Sequence, residues 1–201
     1  MTRHIYIIFV LTLGLCCCVG KTSNQTKIAP DFKSDYDLDT TVKFQYVRDA
    51  AYGYNFATPL TFIEQIDTIG QVDSIVYLSK DKEAKLIYFV EGDIHRQDTS
   101  KNYLNEYFHK LETGQHKILK NCKTLKSQLC YDNKWLNYRG YFVALGQLSD
   151  KQFIWKTQLS EVPVSGDLTY KTMLFIYPIE KQSYYQPIGV SLAYNFSDPL
   201  R

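Results

Sequence analysis

The chain has 201 residues, a length that suits one domain with a real hydrophobic core once a leader is removed. Its 23 basic and 21 acidic residues give a net charge of +2 without a long block of either sign, so neither a nucleic-acid surface nor an acidic tail is expected. The 17 tyrosines lie mostly in alternating segments and indicate a sheet that carries large amphipathic side chains.

Residues 1–18 are predicted to be a targeting signal. A basic start is followed by an apolar run over 5–15, which has the length of a signal peptide and is too short to span a membrane. The run ends in three consecutive cysteines and resembles a bacterial lipoprotein signal, in which one cysteine is acylated and becomes the new N-terminus. We predict Cys18 as the acylated residue, because Leu15 then lies at −3 and small residues lie at −2 and −1. The alternatives are a plain cleaved signal and an uncleaved anchor.

Residues 19–40 are polar and have no hydrophobic period, which predicts a flexible tether. Residues 41–201 are then a single α+β domain. The expected location is the cell envelope, either periplasmic or surface-exposed, with the N-terminal lipid as the membrane contact.

In the domain, alternation over 41–48 predicts a strand, and 51–59 reads as a turn and a short strand that ends at Pro59. The runs 74–79 and 85–90 are predicted to be the two strands of a hairpin, covered on both faces.

The segment 98–114 is predicted to be an amphipathic helix that packs across the sheet. Its apolar stripe has the spacing of one helical face and consists of Tyr103, Leu104, Tyr107, Phe108 and Leu111. Asp98, Thr99 and Ser100 would cap its first turn, and Gly114 would take the left-handed position after its last turn. His116, just beyond the end, would favour the helix dipole as a cation.

The rest of the chain predicts more strands and a second helix. The helix covers 180–196, where apolar residues recur every fourth position despite Pro187 and Gly189. Four lysines suit an exposed sheet edge, namely Lys117, Lys120, Lys123 and Lys126. The predicted strands lie within 116–125, 129–145, 152–159 and 168–177.

Cys122 and Cys130 are the two cysteines outside the predicted signal segment. In an oxidising compartment they would form a disulfide if they lay opposite each other in a hairpin, and otherwise they are two buried free thiols.

This order of elements resembles the PsbP/DcrB-like superfamily, whose members often begin with a Tyr-Gly-aromatic-Pro segment like the one at 52–59. The resemblance covers about 52–196. It implies an antiparallel sheet of about six or more strands flanked by helices, an αβα sandwich, and a binding or assembly role. The fold alone fixes no function.

No Ser nucleophile motif or phosphate-binding loop is present, and no cofactor is predicted. Asp93 and His95 could lie on one side of an extended segment as a weak divalent-metal or proton-transfer site, or could be two polar loop residues. The aromatic surplus suggests a ligand groove or, alternatively, ordinary sheet packing, and its members are Trp135, Tyr138, Tyr141, Trp155, Tyr184 and Tyr185.

The function expected from the sequence is a non-enzymatic envelope lipoprotein that binds a protein partner or a small ligand. The alternative is a hydrolase or metal-dependent enzyme with its site near Asp93 and His95.

Overall fold

The computed structural model describes residues 41–49, 54–66, 74–94, 102–131, 140–161 and 167–196. These ranges contain nine strands, two α-helices and one 3-10 turn, Ile179–Lys181. The helices are α1 (Tyr103–Glu112) and α2 (Gln182–Asn195). The strands are β1 (Phe44–Asp49), β2 (Tyr54–Pro59), β3 (Ile63–Ile66), β4 (Ser74–Leu78), β5 (Lys85–Ile94), β6 (Lys123–Tyr131), β7 (Gly140–Leu148), β8 (Lys151–Glu161) and β9 (Leu168–Pro178).

Seven of the strands form one antiparallel sheet in the order β3-β4-β5-β9-β8-β7-β6, and β1 and β2 form a separate antiparallel pair. The predicted α+β class with a helix-flanked antiparallel sheet is therefore confirmed. The predicted hairpin of β4 and β5 is also confirmed, with Ser74 opposite Phe89 and Leu78 opposite Lys85.

Strand alternation divides the interior into two cores, one on each face of the sheet. Phe89, Trp155 and Leu174 pack with α1 on one face. Their chain neighbours point the other way, and among them Tyr88, Ile154 and Phe175 pack with α2 and the β1–β2 pair. The central strands read as nearly continuous apolar runs because both of their faces are covered.

Helix α1 buries the predicted stripe, since all five of its apolar residues are buried. The predicted start is wrong, however. Asn102 is the N-cap, because its side-chain oxygen accepts a hydrogen bond from the Asn105 N–H at 3.0 Å. The predicted end is confirmed, because Gly114 has φ +66° directly after the last turn.

Helix α2 confirms the predicted C-terminal helix and lies close to the sheet at Gly189. A Cβ atom at this position would be 2.6 Å from the Phe175 Cδ1 and 2.7 Å from the Ile154 Cδ1. The glycine that weakens the helix prediction therefore permits the contact between helix and sheet.

Strand β6 is one edge of the sheet, which fits the lysines at 123 and 126. A strand was predicted within 116–125, but only its last part belongs to β6. Residues 116–122 are an irregular segment with one bridge between Gln115 and Lys120.

The prediction of a disulfide between Cys122 and Cys130 is also wrong. Cys130 lies within β6 and Cys122 directly precedes it, so they are separated along one extended strand rather than opposed in a hairpin. At about 3.3 Å per residue their Cα atoms are roughly 25 Å apart, far beyond the reach of a disulfide. Cys122 is a free thiol.

Candidate functional site

Glu91 lies where β5 leaves the apolar face that packs against α1. It is 8% exposed and stands opposite Tyr170 of β9. The register shifts after Glu91, and Gly92 has φ +60°, a left-handed conformation that glycine adopts at bulges. The bulge ends the regular pairing and leaves the Glu91 carboxylate at the bottom of a cleft.

Three side chains bind this carboxylate. The Lys117 ammonium lies 2.7 Å from Oε1. The Tyr107 hydroxyl donates to Oε2, and the His116 Nε2 lies 3.5 Å from the same oxygen. Tyr107 comes from α1 and the other two residues from the irregular segment after it, so three parts of the chain meet at one charge.

His116 is held in a defined orientation. The Ile118 N–H donates to its Nδ1 at 3.3 Å, so the Nε2 of the neutral ring carries the proton and faces Glu91. The ring is 3% exposed and packs edge-on against Trp155, with 4.7 Å between ring centroids. His116 is therefore buried and part of the site, whereas the sequence predicted only a favourable interaction with the helix dipole.

Glu91 stays ionised in this setting. Burial alone would raise its pKa, but hydrogen bonds from His116, Lys117 and Tyr107 outweigh burial and lower the pKa from 4.5 to about 2. Burial, followed by the charge of Glu91, raises the pKa of Tyr107 well above its ordinary value. The carboxylate is therefore charged and the phenol is protonated at neutral pH.

The same network continues into the core. Tyr107 hydrogen-bonds Thr172, whose Oγ1 lies 2.8 Å from the Thr157 Oγ1. The Trp155 Nε1 donates to that Thr157 hydroxyl at 2.6 Å. Because buried polar atoms are costly unless they are paired, this chain of contacts fixes the rings around Glu91.

The cleft above Glu91 has a volume of about 440 Å³. Tyr107, Tyr170 and His116 form its walls, while Lys110 and Gln115 stand at its mouth and are exposed. The Tyr170 hydroxyl is occupied, because it donates to the Tyr103 carbonyl oxygen at 2.9 Å. Among the described residues no group of three His, Cys, Asp or Glu side chains could hold a metal ion.

A second cleft, of about 610 Å³, lies beside the β4–β5 turn. Asp81 organises it by accepting hydrogen bonds from Ser79, from the Glu83 N–H and from the Tyr185 hydroxyl. The hydrogen bond from Ser79 is the main reason that the Asp81 pKa is lowered. These contacts stabilise the turn, and they leave the carboxylate with few free acceptor sites.

The predicted aromatic groove is not one surface. Trp155 is fully buried on the α1 face, so its assignment to a ligand surface is wrong. Tyr185 is 3% exposed on the α2 face, beneath Tyr184, which is 57% exposed. Tyr141 is half-buried, and its ring centroid lies 5.0 Å from the Lys156 ammonium.

The other predicted site residues are not placed by the structure. Trp135, Tyr138, His95 and Cys18 lie outside the described residues. Asp93 belongs to β5, but its side chain is outside the described part. In the described ranges no helix is both long and apolar enough to cross a bilayer.

Sequence reasoning missed Glu91 and underrated His116. One signal was available, because a glutamate followed by glycine interrupts the apolar run of β5 in KLIYFVEGDI. A charge inside an otherwise buried strand needs a partner, and a glycine beside it marks a bulge. The identity of the partners depends on the fold.

No family model and no curated protein matches the sequence of this chain. Solved structures do match its fold. The cyanobacterial PsbP (CyanoP) of Synechocystis sp. PCC 6803 is 12% identical with a TM-score of 0.55, and the match covers 78% of this chain and 93% of that one. The Ran-binding protein Mog1p of Saccharomyces cerevisiae is 10% identical with a TM-score of 0.43, over 78% of this chain and 96% of that one. On the strength of the first match, the chain has a PsbP-like fold.

Proposed function

We propose that the protein is a non-enzymatic binding or assembly module of the cell envelope. Acylated Cys18 attaches it to the membrane, and the cleft beside Glu91 receives a group of a protein partner or a small ligand. The observation that carries this proposal is a buried carboxylate at the bottom of an open cleft of about 440 Å³. Binding sites commonly combine apolar walls with a few fixed polar groups, and this cleft has both.

The state of Glu91 supports binding rather than proton transfer. A general acid or base works best with a pKa near the working pH, whereas the pKa of Glu91 is lowered to about 2. Its oxygens are held by Lys117, Tyr107 and His116. The carboxylate is thus a fixed negative charge.

The proposed location rests on the N-terminal sequence. A basic start, a short apolar run and the cysteine cluster at 16–18 are typical of a lipoprotein signal, and the polar residues that follow would let the domain lie near the bilayer.

The test is capture of the full-length acylated protein from its native membranes, with Glu91→Gln and Glu180→Gln compared in parallel. Glu180 is exposed and serves as the matched control. We expect a partner or ligand that is recovered in stoichiometric amount with the native and Glu180→Gln proteins and is lost with Glu91→Gln. Equal recovery with all three proteins would exclude this cleft, and recovery of nothing would contradict the binding role.

Mass spectrometry of the same material tests the predicted lipoprotein signal. We expect an N-terminal Cys18 that carries acyl chains, and an unacylated N-terminus would overturn the membrane attachment.

A further inference from the structure

The partners of Glu91 differ in how firmly they are held. Tyr107 and His116 are 7% and 3% exposed, and both are packed against other rings. The Lys117 side chain is 56% exposed and reaches the carboxylate from the solvent side. An exposed lysine side chain loses rotamer freedom when it is held in an ion pair, which reduces what the pair contributes. Lys117 is therefore the one partner of the three that another group could replace cheaply.

We propose that Glu91 is a receptor for a primary ammonium group, and that Lys117 is an internal occupant which such a ligand displaces. The inference rests on the proposed binding role of this cleft and names the chemical class that it takes. The ligand is an ammonium on an unbranched carbon chain, and its source is either a lysine side chain of a partner protein or a free alkylamine.

The geometry favours this class over the alternatives. An anion would be repelled by the negative charge of Glu91 at the bottom of the cleft. A hard divalent cation needs several oxygen ligands, and the described walls of the cleft offer one carboxylate. An ammonium needs only an acceptor such as the one that Lys117 already uses at 2.7 Å.

The walls suit the carbon chain that carries the ammonium. Tyr107 and Tyr170 pack with 4.2 Å between ring centroids, and the Tyr107 and His116 centroids are 5.0 Å apart. Aromatic surfaces attract both methylene groups and cations. The cleft of about 440 Å³ is space that Lys117 leaves free.

The experiment removes the occupant and supplies it from solution. Lys117→Ala leaves the buried carboxylate without its cation, so we expect a lower thermal midpoint than that of the native protein. Butylammonium chloride should restore the midpoint with a saturable dependence on concentration, while sodium chloride at equal ionic strength should not. Because release of the carboxylate from a pair with an exposed lysine is worth about 1 kcal/mol, butylammonium should bind Lys117→Ala roughly fivefold more tightly than native protein.

Three further variants control the result. Lys110→Ala removes the other lysine of the cleft, which does not bind Glu91, and should leave affinity unchanged within about twofold. The double variant Glu91→Gln/Lys117→Ala should lose saturable binding. Lys117→Met keeps the aliphatic stem and replaces Lys117→Ala if that variant does not fold.

A peptide that contains lysine, compared with the same peptide acetylated at that lysine, separates the two sources. Binding of the unmodified peptide alone assigns the site to a protein lysine, and binding of butylammonium alone assigns it to a small amine. Absence of saturable binding by both probes in the Lys117 variant that folds overturns the inference and leaves Lys117 as a structural ion pair. That result would not touch membrane capture that depends on Glu91, so the two proposals fail separately.

Discussion

The Lys156 ammonium donates to the carbonyl oxygen of Phe196 at 2.7 Å, although the two residues are forty positions apart in the sequence. The same ammonium donates to the Ala193 carbonyl oxygen, also at 2.7 Å. These oxygens lie at the end of α2, where the last carbonyls have no partner within the helix and carry partial negative charge. A lysine from the middle of the sheet therefore caps the C-terminal helix.

Replacing Lys156 should destabilise the fold. Lys156→Met keeps the aliphatic stem but leaves two buried carbonyls without a donor, at a cost of about 1–3 kcal/mol in the free energy of unfolding. Urea denaturation measures the change. Lys151→Met is the control, because Lys151 lies in the same strand and is exposed, and it should change stability by less than about 0.5 kcal/mol. A gain in stability with Lys156→Met would mean that the cost of burying the charge exceeds the value of the cap.

Gly189→Ala should destabilise the protein although alanine is the better helix former. Helix propensity favours alanine by about 1 kcal/mol. The new methyl group, however, would lie 2.6 Å from the Phe175 Cδ1 and 2.7 Å from the Ile154 Cδ1, both in packed core. Overpacking of this kind costs typically about 1–3 kcal/mol, so we expect a net loss in a urea or thermal unfolding experiment. Ser183→Ala, at an exposed position of α2, should have almost no effect, and an equal loss there would argue against the clash.

Protonation of Glu91 at acidic pH should lower the free energy of unfolding. The folded pKa of about 2 lies below the ordinary value of 4.5, so the contribution of this group is complete above pH 4.5 and is lost as the pH falls toward 2. The loss is on the order of 3 kcal/mol. Glu91→Gln should lack this part of the pH dependence, as measured by urea unfolding between pH 6 and 2.

The matched control for this experiment is Glu180→Gln, because Glu180 is exposed and away from the cleft. It should reproduce the native pH profile. If Glu91→Gln and native protein showed the same slope, the ionised Glu91 would not be stabilising the fold.

Both domain cysteines should be free. After denaturation without reductant, peptide mass spectrometry should find a thiol label at Cys122 and at Cys130, because one strand separates them. In the folded protein Cys122 should react more slowly than it does in the denatured protein, since its thiol is half-buried and burial raises its pKa. Loss of label at both positions, with recovery after reduction, would contradict the continuous strand.

Much of the fold is readable from local pattern. The stripe of α1, the β4–β5 hairpin and the long strands of the second half each carry a period that one segment can show. Strand β3 was missed because it has four residues, of which Ile63, Glu64 and Gln65 are exposed. Three exposed positions in a row leave no alternation of buried and exposed residues to recognise.

The site was less readable because its parts come from distant places. Glu91 and His116 meet only because the segment after α1 returns to the end of β5, and no spacing in the sequence encodes that contact. The aromatic residues failed for a related reason, since composition shows how many rings there are and not which face of the sheet each one occupies. Trp155 and Tyr185 lie on opposite faces.

The position of β9 has a consequence for the order in which the protein can assemble. It is the last of the described strands along the chain, yet it pairs with both β5 and β8 in the middle of the sheet. A chain that stops before Leu168 contains two partial sheets whose open edges both lack the same strand. A premature stop codon between β8 and β9 would therefore yield no smaller working version of the protein, but two partial sheets with open edges, which are prone to aggregation.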